Sequence, residues 1–121
     1  IKIDDYVKVL GEEGILGGKS VGFGKFDVRP CDFSWDGSGS WRLLLSLCIP
    51  DESEIGSLRS AYYSLVERSG WTGSYRKERL RVLVEGSIVP ELSGRIVKEN
   101  VGGVRIHRNY LSLSVPLGWW D

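Results

Sequence analysis

The apolar residues of this chain show no helical period after Gly70, and this feature narrows the possible folds more than any other. Residues 79–89 instead alternate apolar and polar side chains, which indicates a β-strand. Shorter strands are predicted over residues 95–98, 104–107 and 110–115. The C-terminal part of the chain is therefore expected to form an antiparallel sheet.

Two helices and a buried strand are predicted before Gly70. Residues 1–10 carry apolar side chains at the i, i+3, i+4, i+7 spacing of an amphipathic helix. Residues 41–49 are nearly continuous in apolar side chains, as in a buried strand. A second helix is predicted from Asp51 to Gly70, because Asp51 and Glu54 have the spacing of a capping box and an apolar stripe follows them.

The order of these elements predicts an α+β fold. It begins with a helix, a glycine-rich loop and a short strand over residues 23–28, and it continues with a strand, a helix and then only strands. A β-α-β unit beside further strands is typical of a ferredoxin-like sandwich, with helices on one face of the sheet. The complete ferredoxin-like order would need one more helix. Trp119 and Trp120 are expected either to close a core edge or to fray.

The bulk composition excludes several classes of protein. The 121 residues suffice for one domain with a core, and 16 basic residues balance 16 acidic ones. A formal net charge of zero argues against a protein that only coats nucleic acid, although it allows a local basic face. No apolar stretch approaches the roughly 20 residues of a membrane span, and no secretory signal is visible. A cytoplasmic location is expected.

The sequence also lacks the residues of a metal site or a disulfide framework. Its two cysteines, Cys31 and Cys48, are too few for either and are expected to be buried reduced thiols. Nothing indicates a need for ATP, a metal or another cofactor. The chain begins at Ile1 and contains no methionine, so we expect it to be a piece of a longer protein.

A glycine-dense segment between Gly14 and Gly24 is the most distinctive local feature. It is not a P-loop, because Gly14 is one residue too close to the Gly-Lys-Ser triplet and because the segment follows a helix. One interpretation is a merely flexible connection. The other is that glycines let backbone N–H groups approach a phosphate chain, with Lys19 adding charge and without reading sequence.

A second basic region follows Tyr75, whose ring is suited to stacking on a base. It is either a solvated surface or a phosphate-contacting patch, which Arg105 and Arg108 could extend. The residues predicted to bind RNA in the two regions are Gly17, Gly18, Lys19, Ser20, Gly22, Phe23, Gly24, Lys25, Arg76 and Lys77. No catalytic or metal-binding residue is predicted.

The segment GGKSVGFGKF at residues 17–26, preceded by a helix, resembles the glycine-rich loop of the RAMP superfamily of CRISPR proteins. Within that superfamily the chain resembles the Csm-complex subunit that caps the 5′ end of the crRNA. The features that carry this likeness are Ile49-Pro50, YYSLVERSG at residues 62–70, VEGS at residues 84–87 and SVPL at residues 114–117.

The resemblance implies a ferredoxin-like, RRM-like RAMP domain. Residues 1–30 would be the end of a first RRM-like domain, with its helix, glycine-rich loop and strand, and residues 31–121 the C-terminal ferredoxin-like domain. It also implies a non-catalytic structural subunit of a type III effector complex. Such a subunit grips the 5′ handle of the guide crRNA through the glycine-rich loop. It docks against the large signature subunit and the backbone RAMP subunits.

Two other functions stay open at this point. Some RAMP relatives are metal-independent endoribonucleases that process crRNA, and His107 or a tyrosine would then act in catalysis. His107 is the only histidine, however, and a general base needs an orienting partner. An ordinary strand histidine is the favoured interpretation. The other alternative is a purely protein-interaction module.

Overall fold

The fold is known from a computed structural model, which describes residues 2–118. Trp119 and Trp120 lie outside the described residues. The chain divides into two units, residues 1–34 and residues 35–121. The resemblance placed the corresponding domain boundary after residue 30.

The first unit begins with the predicted helix, α1 (Ile3–Glu13). Two acidic residues in its first turn, Asp4 and Asp5, complement the positive end of the helix dipole. The helix ends at Gly14, whose φ of 87° turns the chain away and whose amide donates to the carbonyl of Leu10 at 2.8 Å. The helix prediction is therefore confirmed, with an end a few residues later than the spacing suggested.

The strand predicted over residues 23–28 is wrong, since no strand occurs among the described residues of the first unit. The backbone amide of Phe26 instead donates to the carbonyl of Gly11 at 3.1 Å, at the end of α1. A side chain at Gly11 would run into the carbonyl of Phe26. This segment packs on a helix and has no neighbouring strand to pair with, so no ladder can form.

The described part of the second unit contains nine strands, and every pairing between them is antiparallel. They are β1 (Trp41–Leu44), β2 (Leu65–Arg68), β3 (Trp71–Thr72), β4 (Tyr75–Arg76), β5 (Leu80–Leu83), β6 (Ile88–Pro90), β7 (Gly94–Val101), β8 (Val104–Leu111) and β9 (Ser114–Pro116). The ladders are β6-β1-β9, β2-β5, β3-β4 and β7-β8. The α+β class is confirmed. The ferredoxin-like arrangement stays a prediction, because these strands pair in small ladders.

An extended segment after β1 connects the ladders. Cys48 exchanges two backbone hydrogen bonds with Leu83 of β5, at 3.1 and 2.8 Å, and the amide of Ile49 donates to Tyr110 of β8 at 3.2 Å. Successive side chains of an extended chain point to opposite faces. Cys48 accordingly packs in one buried cluster with Leu83, and Ile49 packs in another with Tyr110.

The second predicted helix is only partly correct. Its capping box is present, but the helix is a 3-10 helix that spans Glu52–Ser60 and ends at Ala61. Beyond it the chain is extended, because Tyr62 exchanges backbone hydrogen bonds with Ile88 and Leu65–Arg68 pairs with β5. Residues 71–78 contain the short β3–β4 hairpin, for which no strand was predicted.

The carboxylate of Glu54 ties this helix to the start of β7. It accepts backbone hydrogen bonds from Asp51 at 2.8 Å, Ser93 at 2.7 Å and Gly94 at 3.3 Å. Partial burial raises the pKa of Glu54, but these amide donors favour the charged carboxylate and lower the pKa below its ordinary value of 4.5 overall. Stability from this group is thus present above pH 4.5 and lost as the pH falls through the lowered pKa.

We expect Glu54→Gln to reduce the free energy of unfolding at pH 7 by about 1–2 kcal/mol, because a charged acceptor of three amides is lost. The variant should also lose less stability than the wild type between pH 7 and pH 3. Urea unfolding at both pH values measures this difference. Glu52→Gln, an exposed neighbour, is the control, and equal pH dependence in all three proteins would contradict the prediction.

Candidate nucleic-acid interface

The glycine-rich loop folds back on itself between Gly14 and Gly24. The amide of Ile15 donates to the carbonyl of Gly24 at 3.0 Å and closes the base of the loop. A short 3-10 helix, Lys19–Val21, forms the tip and is flanked by Gly18 and Gly22, both in the left-handed region. The carbonyl of Gly18 accepts from the amides of Val21 at 3.1 Å and Phe23 at 3.2 Å. The loop thus has a defined backbone path.

The glycines of this loop have different physical reasons to be glycine. Gly24 has a φ of 76°, and a side chain there would run into the backbone of Ile15. Gly18 has a φ of 77°, and a side chain would meet the ring of Phe23 at 2.9 Å. Gly17 has neither constraint, since a Cβ built there meets no atom within 4 Å and its φ is not in the left-handed region. Nothing in the described chain explains why position 17 lacks a side chain.

The surface of the loop is exposed and positively charged. Residues 15–25 are all exposed, and Lys19 and Lys25 are their charged residues. The nearest carboxylates in sequence are Glu13 before the loop and Asp27 after it. The backbone amides of Leu16, Gly17 and Gly18 donate to no carbonyl within residues 2–118. Backbone amides that have no acceptor, next to lysines with no carboxylate in the loop, suit an anionic ligand.

The predicted site residues fall on two separate units. Those from Gly17 to Lys25 lie together in the glycine-rich loop, whereas Arg76 and Lys77 lie in the second unit, on and just after β4. Arg76 is exposed, and Lys77 is half-buried with its side chain against Gly70.

The ring of Tyr75 packs on Gly102 in the turn between β7 and β8. The β3–β4 hairpin is thereby held against the tip of the β7–β8 hairpin.

Arg108 does not extend the basic surface as expected, because its side chain is buried and only 8% exposed. The guanidinium donates to the carbonyls of Glu78 at 2.8 Å and Arg68 at 3.1 Å, and to the hydroxyl of Tyr110 at 3.0 Å. It also lies 3.7 Å from the nearly buried carboxylate of Glu99. Arg108 is therefore a structural residue of the core.

His107 and Arg105 lie instead on the exposed face of β8. His107 is directly opposite Lys98 of β7, and Arg105 is opposite Asn100. No carboxylate in the described part of the chain bonds the imidazole of His107, so the structure offers no orienting partner for a general base. Sequence reasoning missed Lys98, because only the strand register places it beside His107.

The cysteines and the acidic residues do not form a metal site in the described residues, where no group of three or more metal-ligating side chains occurs. Cys48 is buried as expected, and burial, followed by the nearby Glu54, raises the pKa of its thiol to about 11. Cys31 is exposed, so its predicted burial is wrong. No helix between residues 2 and 118 is long and apolar enough to cross a membrane.

Comparison with known proteins points to one family. Residues 37–117 match the family of CRISPR Csm4 C-terminal domains. The chain is also similar to the CRISPR system Cms protein Csm4 of Thermococcus onnurineus (strain NA1), with 30% identity over 114 residues. That alignment covers 93% of this chain and 37% of the relative, so the chain spans little more than a third of the relative's length. The family match lies in the second unit, and the glycine-rich loop precedes it.

Proposed function

The chain belongs to the family of CRISPR Csm4 C-terminal domains, and on this premise we propose that it is a non-catalytic, crRNA-binding part of a type III CRISPR Csm complex. In this proposal the glycine-rich loop grips the 5′ handle of the crRNA. The protein also docks against the large signature subunit and the backbone RAMP subunits. Residues 1–30 are then the end of a first RRM-like domain, and residues 31–121 are a ferredoxin-like domain.

The observation that carries the proposal is the unexplained glycine at position 17. Gly17 lies at an exposed position where a side chain would meet nothing in the chain and would need no strained backbone. A missing side chain there clears the way for a ligand to approach the backbone closely. The adjacent amides of Leu16 and Gly18 have no acceptor among the described residues, and Lys19 follows directly. This combination suits a phosphate oxygen.

The remaining loop residues fit the same ligand. Lys25 adds a second exposed cation, and the exposed hydroxyl of Ser20 can donate to a phosphate or a ribose. Phe23 is 68% exposed, so its ring is available for stacking on an unpaired base. Gly22 and Gly24 supply the left-handed turns that hold these side chains in one loop.

Arg76 and Lys77 form a second contact region in this proposal. Tyr75 is 56% exposed, and its ring rests on Gly102, which limits its motion before RNA binds. A pre-positioned ring loses less conformational entropy when a base stacks on it. Arg76 and Lys77 then bind the neighbouring phosphates.

We expect Lys19→Ala and Gly17→Val each to weaken binding of an RNA with a repeat-derived 5′ handle. Loss of one phosphate contact should lower the slope of log affinity against log salt by about 0.7. Gly17→Val should weaken binding because its side chain keeps the phosphate away from the backbone amides of the loop. If one charge-assisted hydrogen bond is lost, the affinity should fall about tenfold. Fluorescence anisotropy of labelled RNA with the full-length subunit, at two salt concentrations, measures both effects.

Matched controls distinguish the loss of an RNA contact from a loss of folding. Lys8→Ala removes an exposed lysine from α1, and Gly56→Val fills another position where a Cβ would meet no atom within 4 Å. Both controls should bind RNA as the wild type does. If Lys19→Ala and Gly17→Val also bound RNA normally, the loop would not be the site.

A further inference from the structure

The β7–β8 hairpin has one face that no other described part of the second unit covers. We call it the outer hairpin face. Its residues alternate along the two strands with the buried ones and are all exposed: Ile96, Lys98, Asn100, Arg105, His107, Asn109 and Leu111. The opposite face holds the buried side chains of Val101, Arg108 and Tyr110.

The outer hairpin face carries cations and no carboxylate. Lys98 is directly opposite His107, and Arg105 is two residues before His107 on the same strand. Within residues 2–118, neither Lys98 nor Arg105 has an ion pair. By contrast, a guanidinium nitrogen of the exposed Arg79 forms an ion pair with a carboxylate oxygen of Glu67 at 3.5 Å. Neighbouring cations on one face of a sheet repel each other, so their presence without acidic partners favours an external polyanion.

The charge is concentrated toward the tip of the hairpin. Lys98 and Arg105 lie near the Gly102–Gly103 turn, while apolar Ile96 and Leu111 lie near the opposite end of the ladder. Ile96 is 44% exposed and Leu111 is 46% exposed. The face therefore offers cations and polar amides along most of its length, with an apolar surface at one end.

We propose that the outer hairpin face is a second RNA-binding surface, on which Lys98, Arg105 and His107 hold the phosphates of a single strand. The inference takes its ligand, single-stranded RNA, from the proposed function, but it does not depend on the glycine-rich loop. A sheet face spaces residues i and i+2 by about 6.7 Å, so the side chains of Arg105 and His107 contact successive points along an extended backbone. Asn100 can hydrogen-bond riboses, and Asn109, whose Oδ1 accepts from the amide of Leu111 at 3.0 Å, can donate to them from its side-chain NH₂ group.

Nucleic acid fits this face better than a protein partner does. A protein interface core is depleted in lysine and centred on buried aromatic anchors. The outer hairpin face contains no phenylalanine, tyrosine or tryptophan, and its centre is the Lys98–His107 pair. Contacts of this kind, to phosphate and sugar, carry affinity without sequence preference.

The test uses the full-length subunit and a labelled single-stranded RNA in an anisotropy titration over 50–200 mM salt, across which log affinity falls linearly with log salt. Lys98→Gln with Arg105→Gln removes two cations, and we expect about a tenfold loss of affinity at the lower salt. The slope of log affinity against log salt should fall by about 1.4, or about 0.7 for each phosphate. Lys98→Arg with Arg105→Lys keeps both charges and should retain most of the affinity.

A matched double variant, Lys8→Gln with Arg59→Gln, removes two exposed cations that lie outside the outer hairpin face and outside both proposed contact regions, and it should leave the affinity within about twofold. Unchanged affinity and slope for the Lys98 and Arg105 variant would overturn the inference. An equal loss in the control variant would overturn it too, because the effect would then be one of net charge.

The same titration separates this inference from the role of the glycine-rich loop. If Lys19→Ala has no effect and the Lys98 and Arg105 variant weakens binding, the loop assignment fails and the hairpin surface stands. If only Lys19→Ala weakens binding, the loop stands and the hairpin surface is rejected. Thermal unfolding of each variant should match the wild type, because all substituted side chains are exposed.

Discussion

Replacing Arg108 by methionine should lower the free energy of unfolding by about 3–5 kcal/mol, the usual cost of removing one partner of a buried ion pair. The substitution keeps an apolar stem of similar length but removes donors to three oxygens, those of Glu78, Arg68 and Tyr110. It also leaves the carboxylate of Glu99, which is 11% exposed, without its cation. Chemical denaturation of the variant at pH 7 measures the loss.

Two companion variants test the reason for that loss. Arg105→Met, three residues earlier on the same strand, replaces an exposed arginine and should change stability by less than about 0.5 kcal/mol. Adding Glu99→Gln to Arg108→Met should recover at least about 1 kcal/mol, because the uncompensated buried charge is removed. A double variant no more stable than Arg108→Met would show that the carboxylate contributes nothing to the cost.

A second large effect is expected at the first residue of β7, where Gly94→Ala should reduce stability by about 3 kcal/mol. Gly94 has a φ of 71°, which costs roughly 1–2 kcal/mol for a residue with a Cβ. A methyl group there would also run into the carbonyl of Tyr110 and lie 2.8 Å from the amide of Ser112. These obstacles are backbone atoms of β8 and of the residue that follows it, so they cannot rotate away.

Gly103→Ala is the control that isolates the backbone strain. Gly103 has a φ of 80°, and a Cβ there would meet no atom within 4 Å. We expect this variant to lose only the roughly 1–2 kcal/mol of the left-handed conformation. Equal losses at positions 94 and 103 in urea unfolding would refute the steric part of the argument.

The strands after residue 78 were predictable in outline because alternation is a local signal, whereas the short β3–β4 hairpin was not predicted. Residues 104–111 alternate exposed with partly or fully buried side chains over much of β8, and the turn before them needs two glycines of positive φ. The end of the second helix at Ser60 was not predictable in the same way. Leu65 and Val66 fit a helical stripe, but the pairing of β2 with β5 determines the structure, and the paired residues are 12 to 18 positions apart in the chain, from Arg68↔Leu80 to Leu65↔Leu83.

The candidate site could be recognised from the sequence only as a glycine-rich, basic segment. The fold requires glycine at positions 18 and 24 but not at position 17, because Gly18 and Gly24 have positive φ angles and a Cβ there would meet the ring of Phe23 or the backbone of Ile15. Arg108 shows the opposite difficulty, because arginine is usually exposed and only the strand register places it against Glu99. Lys98 was missed for the same reason, since its cross-strand neighbour is His107.

The pairing of β1 with β9 joins parts of the chain that are far apart in sequence. Arg42 donates from its guanidinium to the hydroxyl of Ser114 at 2.8 Å, across 72 residues. During synthesis on the ribosome, β1 emerges long before β9 and has β6 as its first available neighbour. Its other edge then presents unpaired N–H and C=O groups, a template for pairing with another nascent chain, until Ser114–Pro116 arrives to cover it.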